Sequence, residues 1–87
     1  MTDRERYTLI DNAYQILAFN ANAANNERHD GCLNGAYLHS GRVDAIQQLL
    51  NSIGISCNYT ISSDYITEFE IDGHRTRTTY AVVHGIE

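Results

Sequence analysis

Lysine, proline and tryptophan are missing from these 87 residues, and cysteine occurs only twice. Each shortage excludes something. Cys32 and Cys57 lack CxxC spacing, and no set of cysteines and histidines has zinc-finger geometry, so neither a disulfide frame nor a metal site is expected. Both thiols should be reduced and at least half buried. No apolar run is long enough to span a membrane. The start, Met1-Thr-Asp-Arg-Glu-Arg, carries charge in place of a secretory leader, so the expected location is the cytoplasm. No serine or cysteine stands in a nucleophile motif, and no strand precedes the glycines as a dinucleotide fingerprint or phosphate loop would require. Catalysis and a cofactor are therefore not expected.

What is present fits one soluble globular domain, with 43% hydrophobic and 20% charged residues. The net charge is −5, and the six basic residues are all arginine. An acidic total argues against a partner made of duplex nucleic acid, which needs clustered positive charge to neutralise phosphates. An all-arginine basic set suits planar, paired contacts.

Thr2 and Glu5 have capping-box spacing and predict that a first helix starts there. Tyr7, Ile10, Ala13, Tyr14, Leu17, Ala18, Ala21 and Ala24 share one side of it, and Leu9, Ile16 and Ala23 widen that side beyond what one small sheet covers. The excess predicts a second helix, a partner subunit or both. No proline marks the end of this helix. Residues 20–30 are rich in asparagine and alanine, so fraying is expected after Phe19, with "NNERHDG" as the connection. Gly31 then opens helix 2, unless Ser40 caps a later start. Gly54, followed by Ile55, has the signature of a glycine C-cap.

From Ile55 the period becomes two. Ile55, Cys57, Tyr59 and Ile61 alternate with polar residues, as do Tyr65, Thr67, Phe69 and Ile71. Asp72-Gly73 is the strongest hairpin signal, and closing there pairs Ile71 with His74, Glu70 with Arg75, Phe69 with Thr76 and Glu68 with Arg77. Tyr65, Phe69, Ile71, Tyr80 and Val82 then line the inner face. Keeping the apolar side of the first strand inward needs an odd loop, which predicts a three-residue connection, Ser62-Ser63-Asp64. The expected fold class is α+β: two helices followed by a three-stranded antiparallel meander (ααβββ), with the helices on one face of the sheet.

One local conflict stands out. On helix 2, Leu38, Ala45, Ile46, Leu49, Leu50 and Ile53 form an apolar arc that also contains His39 and Arg42. A buried arginine must find an acceptor. One reading is a cleft in which Arg42 and His39, with Arg28 nearby, meet a phosphate or a partner carboxylate, and Gly31, Gly35 and Gly41 permit close approach. The other is an internal pair with an acid such as Asp11. Tyr37 is the aromatic expected to be exposed, and His29 adjoins Asp30 without facing a common substrate. Arg75 and Arg77 are expected to pair with Glu70 and Glu68. Arg42, His39, Arg28, His29, Tyr37, Arg75 and Arg77 are thus the candidate residues for binding a ligand or partner.

The segment "GRVDAIQQLLNSIGI", a G-R-V helix with an L-L and I-G-I end that leads into a short meander, resembles small accessory proteins encoded by phages and mobile elements. The likeness is one of pattern over residues 35–75. It implies a non-enzymatic binding protein, of the anti-defence (anti-CRISPR) kind that blocks a nuclease complex by contact, with a protein complex or a second copy of the chain as partner. The alternative, motivated by the excess apolar arc of helix 1, is a homo-oligomer that sequesters a small anionic, nucleotide-like ligand in a pocket near helix 2.

Overall fold

The computed structural model describes residues 1–77, with side chains as far as Arg75. Two helices, α1 (Asp3–His29) and α2 (Leu33–Ser52), are followed by β1 (Cys57–Ser62), β2 (Tyr65–Ile71) and β3 (His74–Arg77). The strands form one antiparallel sheet in the order β1-β2-β3, and both helices pack against it, giving the expected α+β fold. At about 1.5 Å per residue α1 alone is about 40 Å long, which accounts for the 42 Å long axis of the molecule.

Local chemistry fixes the helix ends. At the start of α1 the Thr2 N–H donates to Glu5 Oε1 at 2.9 Å, and the Glu5 N–H donates to Thr2 Oγ1 at 3.1 Å. The expected capping box is therefore formed. The helix does not fray after Phe19. It continues to His29 and stops at Gly31, whose φ of +80° lets the Cys32 N–H turn back to the Glu27 carbonyl at 2.7 Å. Gly31 thus closes α1, and α2 begins two residues later with neither Gly31 nor Ser40 as its cap. The same motif ends α2. Gly54 takes φ +85°, and the Ile55 N–H donates to the Leu50 carbonyl at 2.9 Å, with both side chains in the core.

The Asp72-Gly73 register is as expected, Ile71 opposite His74 through Glu68 opposite Arg77. Both turn residues have positive φ, as a type I′ turn requires. The first hairpin differs from the three-residue expectation. Ser62 pairs with Tyr65 across the two-residue turn Ser63-Asp64, both at positive φ, and the pairing shifts between Thr60 and Ile61 so that Thr67 is left without a counterpart. The odd residue that parity demanded is a β-bulge inside β2 and not a longer loop. The bulge also turns Ile66 inward, where alternation alone had set it beside Glu68 and Glu70 on the polar face.

Leu17, Ala21, Val43, Leu50, Ile55, Cys57, Ile66, Phe69 and Ile71 make the core, with the Tyr59 ring edge-on to Phe69 at 6.3 Å between centroids. The proposed inner-face positions Tyr80 and Val82 lie outside the described residues. Two asparagines fasten the helices to the sheet in the same way. Asn25, 1% exposed, donates to the Ile66 carbonyl at 2.8 Å and accepts from the Ile66 N–H at 2.9 Å. Asn51 does the same for Cys57, at 3.1 and 2.9 Å. Each amide supplies the donor and acceptor that a neighbouring strand would, so a helix can abut a strand without orphaning its backbone. A third tie, at the hairpin turn, joins Arg6 to Asp72 through Nη2 at 2.7 Å and Nε at 3.3 Å. The hydrogen bonds from Arg6 hold the Asp72 carboxyl below its ordinary range.

Tyr59 donates to Asp44 across the α2-β1 contact. Burial, with this bond and the Asp44 charge behind it, pushes the phenol up to about 12. A phenol pKa raised in the folded state contributes stability that is fully present below the unfolded value of about 10 and is lost as pH rises toward the folded one. Alkaline titration followed by tyrosinate absorbance should show Tyr59 ionising late, with unfolding free energy falling over the same window. Tyr59→Phe should flatten that fall; an unchanged profile would remove Tyr59 as its source.

Candidate functional site

Helix packing decides where the predicted residues fall. On α2 the buried line is Ala36, Val43 and Leu50, with Ile46 half-buried beside it. Gly35 faces α1, and the Glu27 carboxylate takes the space a side chain would fill, with Oε2 1.3 Å from the Cβ position. Small residues thus set the side that meets α1. Gly41 opens onto free space, and Gly31 serves the turn, so Gly35 is the one glycine of the three used for close approach.

The larger apolar residues Leu38, Leu49 and Ile53 are left exposed, and Arg42 is exposed among them. The expectation of a buried Arg42 is corrected accordingly. It needs no internal acid, and Asp11 instead accepts from Gln15 at 3.2 Å. His39 is partly buried at the helix pair, and its Nδ1 lies 2.6 Å from Glu27 Oε1 and 3.0 Å from the Gly35 carbonyl. Both positions suit a hydrogen-bond donor, which fits the tautomer with its N–H at Nδ1. Although His39 and Arg42 are one turn apart, the structure assigns them different surroundings: one ring pinned against a carboxylate, one guanidinium on an apolar outer stripe.

At the loop end of the helix pair, the Arg28 guanidinium lies over the Tyr37 ring, 5.8 Å from its centroid. Tyr37 is 62% exposed, as expected, and Leu33, one turn earlier on the same side of α2, is 49% exposed. His29 is also exposed here, at the last turn of α1. So is Cys32, contrary to the burial expected for both cysteines; Cys57 is in the core, and both thiols are free. On the outer face of the sheet, Arg75 reaches Glu70 at 3.3 Å and Glu68 at 3.9 Å. The side chain of Arg77 lies outside the described residues.

Three of the seven candidates therefore gather in one place, Arg28, His29 and Tyr37, while Arg75 belongs to the polar sheet face. Leu33 was missed although the helix expected from Gly31 already contained it, because the apolar arc around Arg42 outweighed it. The i, i+4 spacing of Leu33 and Tyr37 on a helix beginning at Leu33 would have revealed it.

Among the described residues no three His, Cys, Asp or Glu side chains assemble into a group able to hold a metal ion, and no helix is long and apolar enough to cross a membrane. Fold and surface together define a two-layer α+β protein with an aromatic-arginine platform at one end of its helices. No protein-family model matches the chain, and no curated protein or solved structure shows significant similarity to it.

Proposed function

We propose that this chain is a non-enzymatic binding protein that acts by protein-protein contact through the loop end of its helix pair, in the manner of the anti-defence inhibitors of phages and mobile elements. The observation that carries the contact is the exposed Arg28-Tyr37 stack with Leu33 beside it. Tyrosine and arginine are the residue types that dominate binding energy at protein interfaces, because each combines a broad apolar face with polar atoms. Stacking holds both side chains in place before a partner arrives, which lowers the ordering cost of binding. The anti-defence form of the reading rests on the "GRVDAIQQLLNSIGI" pattern, the small size and the acidic total.

The alternative, a pocket near helix 2 for a small anionic ligand, has less support. The Glu27 carboxylate against His39 Nδ1 puts negative charge where an anion would have to sit.

Plaque counts of a phage on bacteria that express a CRISPR nuclease targeting it, with and without this chain, test the proposal. The chain should restore plaques, and Tyr37→Ala with Leu33→Ala should abolish the effect while leaving the melting temperature in place. No restoration by the natural chain would overturn the anti-defence form. Full restoration by the double variant would overturn the contact surface.

A further inference from the structure

The side of the helix pair that faces away from the sheet is apolar on both helices. Asn25 marks the sheet-facing side of α1 and Glu27 the side that meets α2. Ile16, Asn20 and Ala23 lie on the Glu27 line, and Phe19 one step further round, away from the sheet. On α2, Asp44 and Asn51 reach the sheet and Gly35 faces α1. Stepping on from Gly35 by three or four residues at a time gives Leu38, Arg42, Ala45, Leu49 and Ile53. Ile16, Phe19, Leu38, Leu49 and Ile53 are between 47% and 68% exposed. The seven-residue spacings Leu9-Ile16-Ala23, Leu38-Ala45 and Arg42-Leu49 are those of helices packed in bundles.

We propose that a second copy of this chain covers this face, two helix pairs packing about a two-fold axis into a four-helix layer with the sheets outside. Three observations favour this occupant. The five large side chains offer on the order of 500 Å² of apolar surface per chain, in the range of roughly 300–600 Å² of a monomer's largest patch, which is often an interaction site. With the flanking Leu9, Asn12, Ala23, Arg42 and Ala45 the face approaches the roughly 800 Å² per partner of a stable interface. The stripes between residues 9 and 23 and between 38 and 53 carry no acid, so two chains of net charge −5 meet there without bringing carboxylates together.

The third observation is polar. Asn20 is 5% exposed and donates to the Ile16 carbonyl at 2.9 Å, but its Oδ1 is buried without a partner. Two turns back from Glu27 is Asn20, and two turns on from Gly35 is Arg42; the antiparallel pair sets them at one level. Asn20 Oδ1 is enclosed within the chain itself, so the polar mark on the outer face is Arg42, an exposed guanidinium at the middle of an apolar stripe, the kind of group by which a helical interface fixes its register.

Sedimentation of the full-length chain over micromolar to hundreds-of-micromolar concentrations tests this. The expected mass is twice the 9.8 kDa of one chain. Leu49→Glu and Phe19→Glu should each raise the dissociation constant about 100-fold or more, since a carboxylate would be buried against apolar surface. Both positions are exposed in the single chain, so circular dichroism should stay unchanged. Ile61→Glu, equally exposed but on the edge strand, should leave the dimer intact. A chain that stays monomeric throughout, or a dimer indifferent to Leu49→Glu and Phe19→Glu, would overturn the proposal. Neither result bears on the Tyr37 surface, which these variants leave untouched.

Discussion

Asn25→Ala should lower the unfolding free energy by about 3 kcal/mol, because it removes both buried hydrogen bonds from the amide to the Ile66 backbone, and a buried group that loses a partner costs roughly 1–3 kcal/mol. Urea denaturation at neutral pH measures it, and a loss below about 1 kcal/mol would show that water replaces the amide. Asn25→Asp gives a sharper reading. The ionised carboxylate accepts from the Ile66 N–H but meets the Ile66 carbonyl oxygen with no proton to donate. The protonated acid, by contrast, reproduces the donor and acceptor of asparagine. Burial and the facing carbonyl favour the neutral form and raise the acid's pKa in the folded state. A raised folded pKa means that the stability is present below the unfolded value and lost as pH rises through the folded one. Relative to the natural chain, Asn25→Asp should therefore be most destabilised near neutrality and recover on acidification. A pH-independent difference would contradict the clasp.

Phe69→Ala is expected to cost about 3–5 kcal/mol, the usual range for deleting a buried phenyl group. Phe69 is the largest of the fully buried side chains and the centre of the sheet's inner face, with Tyr59 edge-on beside it. The total stability of a domain this small is on the order of 10 kcal/mol or less, so the variant should melt tens of degrees lower or fail to fold. Phe69→Leu keeps most of the volume and should lose far less. The two thermal transitions, recorded side by side, separate cavity formation from loss of the aromatic edge: similar losses would mean that the ring contact with Tyr59, and not the volume, carries the effect.

These residues also show where sequence logic reached and where it stopped. Thr2 with Glu5, Gly54 with Ile55, and Asp72 with Gly73 were legible because each motif satisfies its own backbone within a few residues. The bulge at Thr67 was half legible. Alternation demanded one odd residue, and a longer loop and a bulge answer that demand equally until Ile66 is seen to fill the core. Asn25 was not legible at all, since its partner lies 41 positions away and an asparagine-rich stretch reads locally as a fraying end.

The side of α2 that faces inward was misjudged for a physical reason. The wheel weighs side chains by size and favours Leu38, Leu49 and Ile53 along with Leu50 and Ile46. Of these only Leu50 is buried and Ile46 partly so, and the buried line runs through the smaller Ala36 and Val43. The same misjudgement moved Arg42 into the interior, and with it the image of an anion cleft. Arg28 and Tyr37 could be named singly, as an arginine and an exposed aromatic. Their stacking depends on the tight turn at Gly31, which the sequence offered as a helix start.

The Arg6-Asp72 tie joins residues 66 positions apart, while α1 and α2, and β1, β2 and β3, pack mainly on their immediate neighbours in the chain. Such a layout lets the helical hairpin and the meander form quickly from local contacts and dock afterwards. The Arg6 and Asn25 ties then belong to the closing step, and weakening them shortens the lifetime of the native state more than it delays its formation. On the proposed contact reading, that lifetime decides how long the platform at Arg28 and Tyr37 stays assembled.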